Sequence, residues 1–121
     1  MEEEFIVSMR ATIRQVNSVT IVDLSGRITL GEGCSQLREL IRDLLSKGQN
    51  KLLLNLGDIT YIDSSGIGEL VSGFTAVSNA GGQLKLLNLT KKVHDLLQIT
   101  KLLTVFDVHD EEAKAVASFK S

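Results

Sequence analysis

The chain predicts an α/β fold: a central mixed, mostly parallel β-sheet with helices, in the order β-β-α-β-α-β-α-β-α. Three observations carry that expectation. Two segments rich in β-branched residues stand next to each other near the start, separated only by Asn17-Ser18. Two short leucine-rich runs, residues 52–56 and 84–89, have the composition of strands covered on both faces. Around these runs, apolar residues recur at the three-and-four spacing of helices. Strands separated by helical crossovers run parallel, while the opening pair adds an antiparallel element.

Taken in order, residues 6–15 alternate loosely between apolar and polar, and residues 19–24 (Val-Thr-Ile-Val-Asp-Leu) follow as a second strand of a hairpin. Residues 25–29 end that strand in a turn. Leu37, Leu40, Ile41, Leu44 and Leu45 then fall at helical spacing, with charged residues between them. Lys47-Gly48 closes this helix. The run 52–56 gives the third strand, and a helix over about residues 65–79 ends at Ala80-Gly81-Gly82. After the strand 84–89, Thr90 is placed to cap a helix carrying Val93, Leu96 and Leu97. Residues 103–108 suit a last strand. Asp110 suits the cap of a final helix with Ala113, Val116, Ala117 and Phe119 as its apolar face.

Size and composition narrow the function. A chain of 121 residues is one domain, residues 1–121, and can bury a self-sufficient core. Thirteen basic and 15 acidic residues give a net charge of -2, so no single-sign field attracts nucleic acid or an anionic membrane. Aromatic residues make up 4% with no Trp, too few for a base-stacking platform. The lone Cys34 rules out an intramolecular disulfide and a thiolate zinc site. The chain opens Met1-Glu2-Glu3-Glu4, unlike a secretory signal, and no apolar stretch reaches the length of a membrane span. The expectation is a cytoplasmic protein without a cofactor.

One stretch stands out: Tyr61-Ile62-Asp63-Ser64-Ser65-Gly66-Ile67-Gly68. It lies where a buried strand hands over to a helix. A helix N-terminus offers unpaired N–H groups and a partial positive charge, both favourable to an anion. In one reading, Asp63 or a serine simply caps the helix. In the other, a serine hydroxyl here takes a phosphate, which adds about -1.5 to -2 charges and can rest on the helix terminus without unfolding anything. Two glycines in the first turns weaken the helix but admit another backbone or a nucleotide. Both this turn and residues 26–29 lie at carboxyl ends of strands, where sites gather in such sheets.

Catalytic patterns are missing. No Gly-x-Ser-x-Gly elbow occurs, and neither His94 nor His109 has a recognisable spacing to the serines. Gly66-x-Gly68 lacks the third glycine of a dinucleotide site, and no P-loop lysine is present. The carboxylates show no paired spacing for a metal. The expectation is therefore a binding protein and not an enzyme.

These residues resemble a known family. The order of elements, the strand 52–56, the turn Asp63-Ser64-Ser65-Gly66-Ile67-Gly68 and the Gly81-Gly82 ahead of strand 84–89 are similar to the STAS domain of bacterial anti-sigma factor antagonists, over nearly the whole chain. The resemblance implies that Ser64 is phosphorylated by a serine kinase that is also the anti-sigma factor. It implies that the unphosphorylated protein binds this kinase and frees the sigma factor, and that a PP2C-type phosphatase resets the switch. Asp63, Ser65, Gly66, Ile67 and Gly68 would form the docking surface, together with Gly26, Arg27, Ile28 and Thr29. Thr29 stands where many antagonists carry an aspartate, which leaves the identity of the kinase and any nucleotide contact open. A scaffold subunit of a stress-sensing assembly, or a module that binds a nucleotide or lipid, would share the same domain.

Overall fold

Residues 9–119 are described by a computed structural model of the protein; the acidic opening at residues 1–4 and the first three residues of the expected opening strand, 6–8, lie outside them. Strands β1 (Met9–Val16) and β2 (Val19–Ile28) form the antiparallel hairpin. Asn17 and Ser18 both adopt positive φ, 51° and 69°, the backbone hand that matches strand twist in a two-residue turn. There follow α1 (Glu32–Ser46), β3 (Lys51–Ile62), α2 (Ser64–Asn79), β4 (Gln83–Leu87), α3 (Lys91–Ile99), a 3-10 turn (Leu103–Val105), β5 (Val108–His109) and α4 (Glu112–Ala117). The sheet order is β1-β2-β3-β4-β5, with every pair after the hairpin parallel. The element order is the one the sequence predicts.

Alternation along the strands sorts the core into two faces. Val22, Leu24, Leu52, Leu54, Leu84 and Leu86 join the large cluster that α1, α2 and α3 cover through Leu37, Ile41, Ile67, Leu70, Val93 and Leu97. Val19, Ile21, Leu53 and Leu87 point the other way, where α4 contributes Ala115 and Val116. Helix α4 is pinned at both ends by polar contacts. Arg14 donates to both oxygens of Glu112 at 2.6 and 2.9 Å and to Asp23 at 2.6 Å. Lys85 donates to the Ser118 carbonyl and hydroxyl at 3.0 and 2.8 Å.

Several boundaries differ from expectation for identifiable reasons. Strand β3 does not stop at Leu56 but runs to Ile62. Its pairing with β2 skips a residue between Asn55 and Asp58 and again between Ile59 and Tyr61. Each bulge shifts the pleat, so Leu56, Ile59 and Ile62 share the buried face at a spacing of three. Strand β2 likewise continues through Gly26, Arg27 and Ile28, which are strand and not turn. Helix α2 starts at Ser64, one residue earlier than expected. Strand β4 ends at Leu87 because Asn88 takes a positive φ of 59°. The last strand is not residues 103–108: a 3-10 turn occupies its first half and only Val108–His109 pair with β4. Asp110 does not cap α4, whose preceding residue is Glu111, and Ala115 replaces the exposed Ala113 and Ala117 on the buried face.

Candidate functional site

The carboxyl ends of β2 and β3 lie side by side, Ile28 against Ile62. The Asp63 N–H extends the ladder to the Ile28 carbonyl at 3.4 Å, and α2 begins at the next residue. Asp63 is the N-cap, with extended backbone (φ -106°, ψ -176°). Its Oδ1 accepts the Gly66 N–H at 2.8 Å. Its Oδ2 accepts the Leu30 N–H at 3.1 Å, from the connection between β2 and α1. One carboxylate therefore ties the first turn of α2 to the neighbouring loop. Burial pushes the Asp63 carboxyl up, but the N–H groups of Gly66, Leu30 and Ser65 outweigh it and hold the group below its ordinary value.

Ser64 occupies the first position of α2 and is exposed, while Ser65 is half-buried. The sequence leaves two readings of these N–H groups, a cap by Asp63 or a serine and a rest for a phosphate. The structure shows that Asp63 already takes the Gly66 N–H, and the Asp63 carbonyl accepts the Ile67 N–H at 3.0 Å. A phosphate on Ser64 would therefore add its charge beside a carboxylate.

The other sequence-named residues divide by depth. Ile28, Gly66 and Ile67 are buried. Gly66 is required by packing: a Cβ there would run into the Ile28 carbonyl and lie 2.6 Å from Ile62 Cγ1. Gly26 and Thr29 are half-buried, and Arg27 and Gly68 are exposed. The only charged side chain of α2, Glu69, is turned inward, where Arg38 grips it with two bonds of 2.8 and 3.2 Å. Cys34 is buried nearby; burial raises its thiol pKa, and the Asp63 and Glu69 charges add to the effect.

Two exposed apolar residues at this end escape a sequence reading. Leu30 is 77% exposed and Tyr61 44%. The Lys92 ammonium lies 5.0 Å from the Tyr61 ring centre. Leu30 carries a signal in retrospect: a large apolar residue followed at once by Gly-Glu-Gly has no helix face to join. Among the described contacts neither histidine bonds to Ser64 or Ser65: His94 pairs with Asp95, and His109 with Asp107 and Ser118.

Comparison with known proteins agrees with this architecture. The STAS domain family model matches residues 10–115. The anti-sigma-B factor antagonist of Bacillus subtilis (strain 168) is 31% identical over 102 residues, covering 84% of this chain and 92% of that protein. The crystal structure of TM1081 from Thermotoga maritima superposes with a TM-score of 0.83 at 26% identity, covering 92% of this chain and 95% of the other. The anti-sigma factor antagonist SpoIIAA in its unphosphorylated form gives a TM-score of 0.74 at 20% identity, covering 88% and 93%. SpoIIAA, a Bacillus cell fate determinant, has also been solved in the phosphorylated form, with a TM-score of 0.69 at 19% identity, covering 89% and 97%.

The chain belongs to the STAS domain family. Its similarity lies with the anti-sigma factor antagonists, which are regulatory binding proteins. Among the described residues no helix is long and apolar enough to cross a membrane.

Proposed function

We propose that the chain, acting as a single STAS domain over residues 1–121, is an anti-sigma factor antagonist. It binds a serine-kinase anti-sigma factor and is switched off by phosphorylation of Ser64. A PP2C-type phosphatase restores the binding form, and the cytoplasm is where these partners meet. The observation that supports this reading most is the exposed hydroxyl of Ser64, directly after the Asp63 cap at the surface end of the sheet. In this reading the phosphoryl group is brought by another protein. The relative SpoIIAA, solved with and without phosphate, supports the same reading.

The switch follows from charge. A phosphoserine carries about -1.5 to -2 charges at neutral pH. Asp63, one residue away, is held ionised by its backbone donors. Phosphorylation therefore adds to the single Asp63 carboxylate and makes this turn a concentrated anionic patch, and a partner that desolvates this surface loses affinity.

The test is to incubate the protein with its cognate serine kinase and ATP and map the phosphosite. The expected result is modification at Ser64 that Ser64→Ala abolishes; modification confined to other residues refutes the reading. Ser64→Asp should bind the kinase at least about tenfold more weakly than wild type, a loss of about 1.4 kcal/mol.

A further inference from the structure

The sheet has two edges, and the chain treats them differently. At one, β5 is only two residues long and α4 follows it closely. At the other, β1 runs for eight residues, Met9–Val16, and no described strand lies on its outer side. Its pairing with β2 is regular from end to end, and the chain contains no proline. Folds blunt an open edge with short strands, bulges, proline, charge or a covering element. Of these β1 has only its two arginines, and Arg14 is already held by Asp23 and Glu112.

The backbone fixes which groups face outward. The two-residue turn at Asn17-Ser18 closes on Val16 opposite Val19, the hydrogen-bonded pair of such a hairpin. Bonded and non-bonded pairs alternate along an antiparallel ladder, so Val16, Arg14, Thr12 and Arg10 direct their N–H and C=O groups to β2. Those of Gln15, Ile13 and Ala11 point to the open side. Ala11 and Ile13 stand opposite Leu24 and Val22, on the face of the large core cluster, yet Ala11 is exposed and Ile13 is 43% exposed.

We propose that β1 is a self-association edge: it pairs antiparallel with β1 of a second copy, about a two-fold axis at Ile13. Ile13 then meets Ile13, and Ala11 exchanges backbone bonds with Gln15 on both sides of the axis, so each outward group of Ala11, Ile13 and Gln15 finds a partner. Charge selects this register. Arg10 lies opposite Val16 of the second copy, and Arg14 opposite Thr12. An axis at Thr12 would set Arg10 against Arg14, and an axis at Arg14 would set two guanidinium groups face to face; like charges directly opposite are destabilising. An axis at Ala11 would overlap only residues 9–13 of the strand. The contact is isologous, the commonest form of self-association. The joined strands run in opposite senses. Because Met9 pairs with Gly26, beside the end of the sheet that carries Ser64, the two Ser64 ends lie at opposite ends of the joined sheet and this contact covers neither. A single strand edge buries less than the roughly 800 Å² per partner of a stable interface, so the association is weak and depends on concentration.

Sedimentation equilibrium of the purified chain between about 10 μM and about 1 mM, the range of a weak complex, tests the association. A monomer–dimer equilibrium is expected. Ile13→Lys should weaken it at least about tenfold, because it sets two ammonium groups opposite each other. Single cysteines, in a Cys34→Ala background under mild oxidation with copper–phenanthroline, read the register. About the proposed axis the two position-13 Cα atoms lie about 5.5 Å apart, within the span of a disulfide. The two position-12 Cα atoms lie roughly 8 Å apart, beyond it. Ile13→Cys should therefore crosslink into a dimer and Thr12→Cys should not. A chain that stays monomeric at about 1 mM overturns the proposal. So does a dimer that Ile13→Lys leaves intact, or one that Thr12→Cys crosslinks more readily than Ile13→Cys.

Discussion

Asp63 offers the sharpest test of how this end of the molecule is held. Its two oxygens have separate tasks: Oδ1 accepts from Gly66 at 2.8 Å and Oδ2 from Leu30 at 3.1 Å. Asp63→Ala removes both. Losing an N-cap costs about 0.5–2 kcal/mol. The Leu30 N–H is exposed and can turn to water, so its loss adds only about 0.5 kcal/mol, the low end for a hydrogen bond. The sum is about 1–2.5 kcal/mol. Asp63→Asn keeps one acceptor oxygen for Gly66 but turns an NH2 donor toward the Leu30 N–H. It should therefore cost about 0.5–1 kcal/mol, less than alanine, although the two residues are equivalent as simple caps. Urea unfolding measures both, as a lower midpoint at unchanged slope. No loss for Asn would show that the Leu30 tether carries no weight, and equal losses for Ala and Asn would show the same of the Gly66 cap. The pH dependence has a definite sign. The folded carboxyl lies below its ordinary value, so its contribution is present above the unfolded pKa of about 4. It disappears as pH falls through the lower folded value.

Two further outcomes follow from the packing. Gly66→Ala should destabilise by about 1–3 kcal/mol, the usual cost of overpacking, because the obstacle is the Ile28 backbone and not a flexible side-chain tip; a variant with the wild-type urea midpoint would contradict it. Arg14 holds the Glu112 and Asp23 carboxyls below their ordinary values by bonding directly to both. Their contribution is full above an unfolded pKa of about 4 and is lost below it. Amides of α4 should then lose hydrogen-exchange protection at about pH 3 before those of α1 or α2, and Glu112→Gln should loosen α4 at neutral pH; pH-independent protection, corrected for intrinsic rates, would rule this out.

Much of the fold was legible because local signals agreed with the global one. The Asn17-Ser18 turn, the periodic leucines of α1 and the Thr90 cap, which accepts the Val93 N–H at 3.3 Å, each reads correctly on its own. The second half of β3 did not, because its two bulges replace alternation with a spacing of three that matches neither template. Strand β5 is two residues long, too short to leave a pattern, and α4 has no capping side chain to mark its start. At the site, the motif located Asp63 and Ser64, but the bond from Asp63 to Leu30 spans 33 positions and is a property of the folded sheet alone.

The unequal cover of the two sheet faces bears on how such a switch can work. Three helices clamp the side that leads to Ser64, whereas a six-residue helix held by one ion pair and the Lys85 hydrogen bonds shields the other. Breathing motions belong to the lightly roofed side, where the fewest apolar contacts must be given up. On the proposed reading, phosphorylation of Ser64 would act as a change in surface chemistry on the side packed by three helices, with no melting of the scaffold needed.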